Sequence, residues 1–370
     1  MPVLFLLVGF WLVIYILSRY YKRIWNRGLS TQISFVEDSV NEGQEGTLIE
    51  VVKNEKNFPL PILHVKFQTS RKLDFHQNEN VNVSDLTYKN DLFAVMPYQQ
   101  IRRTLRFTAL KRGYYTIDHL DLVGSFLFFD FFCYDRHEAS TYIYVYPSRI
   151  GSGAVLDFNR QVIWTLLSRN RMYEDPFSFA GIRQYQPYDP MKRINWSASA
   201  KTGDLMVNVY DYCAGQPVVL IVNLQKTISW HVENLLEESL RIAVTIAENL
   251  MENGVGVNVL TTYDTLGTQF YKVPGNNMEE IDRKLATIDL SVNSMDYDRW
   301  MQEYLLPSFN DKYLYAVVSY DESAQMVAAN EALALKQDGL CLYRPVHDGD
   351  KLPGYSGRIL SFERRVNRND

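Results

Sequence analysis

Cysteine is scarce in this 370-residue chain: Cys133, Cys213 and Cys341 are its three, far apart and with no C-x-x-C pair. Such usage excludes a disulfide framework or a zinc site and fits a reducing compartment. The six histidines (His64, His76, His119, His137, His231, His347) include no H-E-x-x-H and no paired ligand spacing. A G-x-x-x-x-G-K-[ST] phosphate loop is missing, so nucleotide hydrolysis is not expected. Gly254-Val255-Gly256 lacks a third glycine, and Gly354-Tyr355-Ser356-Gly357 has the wrong spacing for a nucleophile elbow. Positive charge is not in excess: the net charge is -5, which argues against general nucleic-acid binding. No internal repeat or low-complexity stretch is visible.

What remains is ordinary folded protein, 46% apolar and 22% charged, with room for about two domains. Its most distinctive composition lies at the amino end. From Pro2 to Leu17 there is no charge, and apolar character continues past Arg19 to Tyr20 and Tyr21. About 20 residues cover a ~30 Å hydrocarbon core, with Arg19 snorkelling to its edge. The reading is a single-pass transmembrane helix in a cell membrane, with 1–27 as anchor and basic flank. A cleaved signal peptide would place its basic residues before the run, whereas Arg19, Lys22, Arg23 and Arg27 all follow it. By the positive-inside rule the rest of the chain is then expected to be cytoplasmic.

Residues 31–147 read as an all-β sandwich. Thr47–Lys53, Ile62–Thr69, Ile101–Ala109, Tyr114–Ile117 and Thr141–Tyr146 are rich in Val, Ile, Phe, Tyr and Thr, and turn clusters separate them. The very apolar Phe126–Phe132 is either a buried segment over that core or a contact surface. Residues 148–215 form a connecting segment. The period then changes over 216–350. Pro217–Leu224 is a continuous apolar run, as in a strand buried on both faces, and His231–Asn253 has helical spacing that stops at Gly254. Strand candidates Val255–Thr262, Lys312–Ser319 and Gly339–Val346 alternate with helix candidates Met278–Ile288 and Ala324–Gln337. Such alternation predicts an α/β domain with a mainly parallel sheet. Residues 351–370 read as a basic C-terminal tail through Arg358, Arg364, Arg365 and Arg368, either solvated or held at an anionic membrane.

The connecting segment holds the densest text, Gly181 to Tyr210. Arg183, Arg193 and Lys201 stand there beside Asp189 and Asp204, with Tyr185 and Trp196 among them. Pro187 and Pro190 impose extended or turn geometry around Asp189. Asn195–Ala200 reads as a short helix and Lys201-Thr202-Gly203 as its stop.

Through Arg183, Tyr185, Pro187, Asp189, Arg193, Ile194, Trp196, Ser199, Ala200, Gly203 and Leu205 the chain resembles the signature of the "domain of unknown function 58" family. Lys201 stands where that family carries arginine, and Tyr188 where it carries glycine. Lys111–Tyr115 and Val145-Tyr146-Pro147 resemble its flanking strands. The resemblance implies a bacterial-type, membrane-anchored protein in which a β-rich domain precedes a von Willebrand A-like domain. It implies a MoxR-type AAA+ ATPase as partner, in cell-envelope assembly or maturation, and no catalytic activity.

Von Willebrand A domains often hold a cation through D-x-S-x-S, whose oxygens suit Mg²⁺. The corresponding positions here are Asn223, Gln225 and Thr227, without an anionic ligand, so neither a metal nor any other cofactor is expected. Two roles stay open for the signature residues Arg183, Tyr185, Pro187, Asp189, Arg193, Trp196, Ser199, Lys201 and Gly203. Either the charges pair internally while Trp196 packs the segment down, or the cluster is a docking surface or anion site. An uncharacterised membrane-associated enzyme using Arg183, Asp189 and Arg193 for acid–base or anion chemistry is the rival class, and a plain tether is a third.

Overall fold

The computed structural model describes residues 2–76, 86–126, 129–151, 153–158, 160, 174–187, 189–212, 217–226, 232–264, 275–348, 355 and 357–366. Cys213, Tyr188, Thr227, Arg368 and part of Phe126–Phe132 lie outside them. The chain forms two compact units: Met1–Ser148 with Leu285–Ile288, and Arg149–Lys284 with Asp289–Asp370. The architecture is mixed α/β, with sheets predominating.

The first unit comprises α1 (Pro2–Ile24), β1 (Leu29–Phe35), β2 (Ser39–Asn41), β3 (Glu45–Asn54) and β4 (Leu60–Ser70). β5 (Leu73–Asp74), β6 (Leu86–Val95), β7 (Gln100–Ala109), β8 (Gly113–Phe126) and β9 (Phe129–Tyr146) follow. One sheet has the order β1-β3-β7-β5 and the other β2-β9-β8-β4-β6. Alternate residues of both sheets point into one shared core that includes Leu48, Val52, Leu63, Phe107, Ile117 and Ile143. This is the period-2 logic of two sheets packed face to face. Gly46 is required here: a Cβ would sit 2.4 Å from the Phe107 ring.

The expected transmembrane helix is not found. Among the described residues no helix is long and apolar enough to cross a membrane. α1 ends in charge, with Lys22 and Arg23 in its last turn. Its carboxyl end is committed to the sandwich instead. Tyr21 and Trp25 are 1% and 4% exposed and belong to the core. The Tyr21 ring lies 5.3 Å from Phe58. Gly124 on β8 leaves the space that Trp25 fills, since a Cβ there would come within 2.7 Å of the indole. The single-pass placement is withdrawn, and with it the anchored architecture and the cytoplasmic placement of the body that rested on the basic flank.

One inward position of the sandwich is not apolar. Glu50, between Leu48 and Val52 on β3, is 1% exposed, and neither of its carboxyl oxygens has a hydrogen-bond partner. Asp91 of β6 is buried with it. Its Oδ1 accepts from Arg103 at 2.8 Å while its Oδ2 has no partner. Burial first, and then the Asp91 charge, push the Glu50 carboxyl up to about 8, against the opposing pull of Arg103 and Lys89. Two carboxylates have no donor between them. One shared proton supplies it, which fits a neutral Glu50.

In the second unit, after a helical stretch at 153–158, come β10 (Glu174–Gln184), a 3-10 turn (Met191–Arg193), α2 (Trp196–Thr202) and β11 (Met206–Tyr212). β12 (Val218–Val222), α3 (Val232–Glu252), β13 (Val257–Thr261), α4 (Met278–Thr287) and α5 (Tyr297–Trp300) come next. β14 (Leu314–Val318), α6 (Ala324–Gln337), β15 (Leu340–His347) and β16 (Ile359–Val366) complete it. Five strands form a parallel sheet in the order β13-β12-β14-β15-β16. β12, β14 and β15 are buried at every position, as strands covered on both faces must be. Residues 359–366, which read as tail, pair in register with β15 from Leu340↔Ile359 to His347↔Val366. Arg364 bonds to the buried Glu238 of α3, which also accepts from Arg241. Two of the arginines that suggested a basic tail, Arg364 and Arg365, therefore lie on a strand.

Candidate docking site on the signature arm

β10 and β11 form a two-stranded antiparallel sheet of their own, in register from Gly181↔Val209 to Gln184↔Met206. The signature residues occupy the connection between them. The Arg183 guanidinium meets Asp189 in a bidentate pair, with both N–H···O distances 2.6 Å. The Gln186 amide donates to the same carboxylate at 2.9 Å. Hydrogen bonding from Arg183, reinforced by the Gln186 amide and by the charges of Arg183 and Arg193, holds the Asp189 carboxyl below its ordinary value. An acid so held has no proton to donate near neutrality. The geometry suits a clamp, and it does not suit general acid–base work.

The clamp folds the chain back so that Ile194 bridges Val207 and the Asn195 amide donates to Met206 O at 2.8 Å. Asn195 caps α2 through its Oδ1, which accepts from Ala198 N at 2.9 Å, while its Nδ2 donates to Asn208 at 2.7 Å. Ser199 Oγ donates to Asn195 O at 2.8 Å and accepts from the Met206 amide at 2.8 Å. Gly203, at φ 82°, closes the helix with its N–H bonded to Ser199 O. Tyr185 N donates to Leu205 O at 2.8 Å. Among the described residues the connection is thus tied by side chains, by caps and by backbone hydrogen bonds such as Arg193 N to Pro190 O.

Trp196 does not do the tying. The residue is 67% exposed, which speaks against one of the two roles left open for it, packing the segment down. Met191 at 72%, Leu205 at 45% and Ile182 at 42% are exposed with it. Of the signature positions, Arg183, Pro187, Lys201 and Gly203 are exposed, Tyr185, Arg193 and Ser199 half-buried, and Asp189 buried. Met191 and Ile182 were not singled out from sequence.

The two described adhesion positions, Asn223 and Gln225, follow β12 at the carboxyl end of the parallel sheet. The sheet order reverses between β12 and β14, which is where ligands bind in open α/β folds. Here Asn223 closes that crevice. It is fully buried, its Nδ2 donates to Ser319 Oγ at 3.0 Å and its Oδ1 accepts from Gln225 N at 3.0 Å. Gln225 is equally committed: Oε1 accepts from Tyr297 N at 2.8 Å and Nε2 donates to Asp296 at 3.2 Å. Asp321, the nearest carboxylate in sequence beyond β14, accepts from Ser323 N at 3.0 Å and Ser323 Oγ at 3.1 Å. Among the described residues no group of three or more His, Cys, Asp or Glu is placed to hold a metal.

No protein-family model matches this chain, and no curated protein does. Among solved structures, the CARDB domain of a Pyrococcus furiosus protein is 15% identical, covering 32% of this chain and 94% of its own, with a TM-score of 0.21. A beta-glucosidase from Listeria innocua in complex with glucose is 11% identical, covering 32% of this chain and 16% of its own, at 0.18. The alkylpurine DNA glycosylase AlkC of Pseudomonas fluorescens, bound to DNA containing an abasic site analog, is 11% identical, covering 32% of each chain, at 0.19. Superpositions this weak carry no inference about fold or function.

Proposed function

We propose that this chain is a non-enzymatic interaction protein that docks a partner on the signature arm, and that the partner is a MoxR-type AAA+ ATPase. The observation that carries the docking part is the exposure of Trp196 and Met191, at 67% and 72%, on a connection tied by hydrogen bonds and caps. Ordering a large ring in advance removes part of the entropic cost of binding, and Trp and Arg dominate interface hot spots. The resemblance of the signature to the domain of unknown function 58 family supports the choice of partner. Against the enzymatic reading stands the Asp189 carboxylate, which already accepts from Arg183 and from the Gln186 amide.

The test is capture of a purified MoxR-type ATPase by the immobilised full chain, with and without ATP. Trp196→Ala should lower affinity by tenfold or more, on the order of a hot-spot loss, with the melting temperature unchanged. Arg193→Ala should lower it less. Capture that ignores Trp196→Ala would remove the arm from the interface.

A further inference from the structure

Tyr142, Tyr144 and Tyr146 alternate with the buried Ile143 and Val145 at the carboxyl end of β9. The three tyrosines therefore share the outer face of the sheet. Tyr114 joins them from β8, paired in register with Tyr144. Four rings meet in one row. Tyr114 lies 4.9 Å from Tyr144 and 5.8 Å from Tyr142. Along β9 the steps are 5.8 Å from Tyr142 to Tyr144 and 6.4 Å from Tyr144 to Tyr146. Tyr114 and Tyr142 are 45% and 48% exposed, and the other two are half-buried.

The exposed Asp118 follows on the same face of β8, since Tyr114, Thr116 and Asp118 alternate with the buried Tyr115 and Ile117. Partial burial first, and then the phenols of Tyr144 and Tyr142 and the charge of Asp118, raise the Tyr114 phenol above its ordinary value. Asp118 thus lies within electrostatic reach of the row, and no cation pairs with it among the described residues. Of the two cations that precede β8, Lys111 is half-buried, and Arg112 is buried and donates to the Leu285 and Ile288 carbonyls. Arg136 of β9 is held by Asp121 at 2.6 Å.

We infer that this row is a docking surface for an extended protein segment carrying arginine at alternate positions, one guanidinium on Asp118 and others over the tyrosine rings. The surface belongs to the first unit and is independent of the signature arm. The face of an aromatic ring is negative and attracts a cation. Arginine suits it best, being planar, weakly hydrated and able to meet a carboxylate with two parallel bonds. An extended segment sets alternate side chains about 6.6 Å apart, two steps of about 3.3 Å, close to the ring spacing along β9. Two other occupants fit less well. The rings are tilted by 30° to 76° from one another, which denies a linear sugar chain a common plane and a polyproline segment a groove of parallel rings. A guanidinium needs only one face. Cross-strand ring contacts also support a sheet by themselves, so the probes must separate recognition from packing.

Those probes are labelled peptides of roughly a dozen residues, titrated with the full chain and read by fluorescence anisotropy. One alternates Arg and Ser. A second has the same composition with its arginines in one block, and a third replaces each Arg by Lys. A proline-rich peptide and a labelled linear glucose oligosaccharide complete the set. The alternating arginine peptide should bind tighter than all the others. Tyr142→Leu should weaken it by about two- to fivefold, the range of one exposed cation–π contact. Tyr142→Phe keeps the ring face and should leave it unchanged. Asp118→Asn should weaken it by up to about fivefold, as loss of an exposed ion pair does, and should reduce its salt dependence. Asp118 is exposed, so that variant keeps its melting temperature.

No binding by the alternating peptide, or equal binding by its block isomer, would overturn the inference and leave the rings as cross-strand packing. So would a loss in Tyr142→Phe as large as that in Tyr142→Leu, or binding of the proline-rich peptide or the oligosaccharide alone. Capture of the ATPase through Trp196 reads the other unit and is indifferent to each of these outcomes.

Discussion

Two tryptophans in this chain exchange the roles their surroundings in sequence suggest. Trp25 follows an apolar run and stands among basic residues, the pattern of a membrane flank, yet it is 4% exposed in the core of the sandwich. Trp196 stands in a dense cluster of charges and prolines, the pattern of a packed staple, yet it is 67% exposed. The difference lies in what faces each ring. Gly124 leaves a hollow on β8 that an indole fills, and the Lys56 ammonium donates to the Trp25 carbonyl beside it. The arm around Trp196 closes on hydrogen bonds, so nothing in its own fold requires the ring. A large aromatic is buried where another element gives up volume for it, and that concession is made far away in sequence.

The sharpest test of that contrast is Trp25→Ala. It removes a fully packed indole from beneath β8 and should destabilise the first unit by about 3–5 kcal/mol, the usual cost of deleting a buried aromatic. Chemical denaturation followed by near-ultraviolet circular dichroism measures it. A loss under about 1 kcal/mol, the scale of a surface change, would mean that the end of α1 is not part of the sandwich core.

A second test compares the buried carboxyls of the two units. Asp189 is clamped by Arg183 and kept ionised, whereas Glu50 faces Asp91 with its oxygens unpartnered and its carboxyl pushed up to about 8 from an unfolded value of 4.5. Folding therefore takes up a proton between those values. The resulting stabilisation is fully present below 4.5 and is lost as pH rises to about 8. The slope is at most about 1.4 kcal/mol per pH unit, and coupling to Arg103 and Lys89 reduces it. Glu50→Gln is neutral throughout and should flatten the decline between pH 5 and pH 8. The Lys56 ammonium, lowered by burial to about 8, adds its own dependence only above that range. Parallel slopes for Glu50→Gln and wild type would show that Glu50 is ionised in the folded chain.

Legibility followed periodicity. Ala324–Gln337 is bounded in the structure as the strand–helix alternation placed it in sequence, and the apolar run at 217–224 holds β12. β8 and β9 are far longer than the segments Tyr114–Ile117 and Thr141–Tyr146 suggested. Between those segments the outward positions include the charged Arg136 and Glu138, and composition masks the strand there. β16 was missed for a similar reason, since the charged Glu363 and Arg365 occupy exposed positions of ILSFERRV. At the signature, the Arg183–Asp189 pair and the short helix were readable from residue types and caps. Which side of that helix stays bare was not readable, because it depends on the absence of a facing element.

The smallest expected effect belongs to Trp196. Its truncation to alanine should change stability by no more than about 0.5 kcal/mol, as substitutions at exposed positions usually do. Alanine is also the better helix former at that position, which offsets any loose contact the ring makes. The arm is held elsewhere, by the Asn195 cap on Ala198 N and by Ser199 Oγ between Asn195 O and the Met206 amide. Asn195→Ala should therefore cost about 1 kcal/mol, more than removing the largest side chain of the arm. Hydrogen exchange at the amides of Ala198 and Met206 reads both variants locally, where global melting would miss a small lobe. Exchange should accelerate in Asn195→Ala and stay unchanged in Trp196→Ala. The reverse order would mean that the indole does hold the arm together, and the surface proposed for docking would then be part of its core.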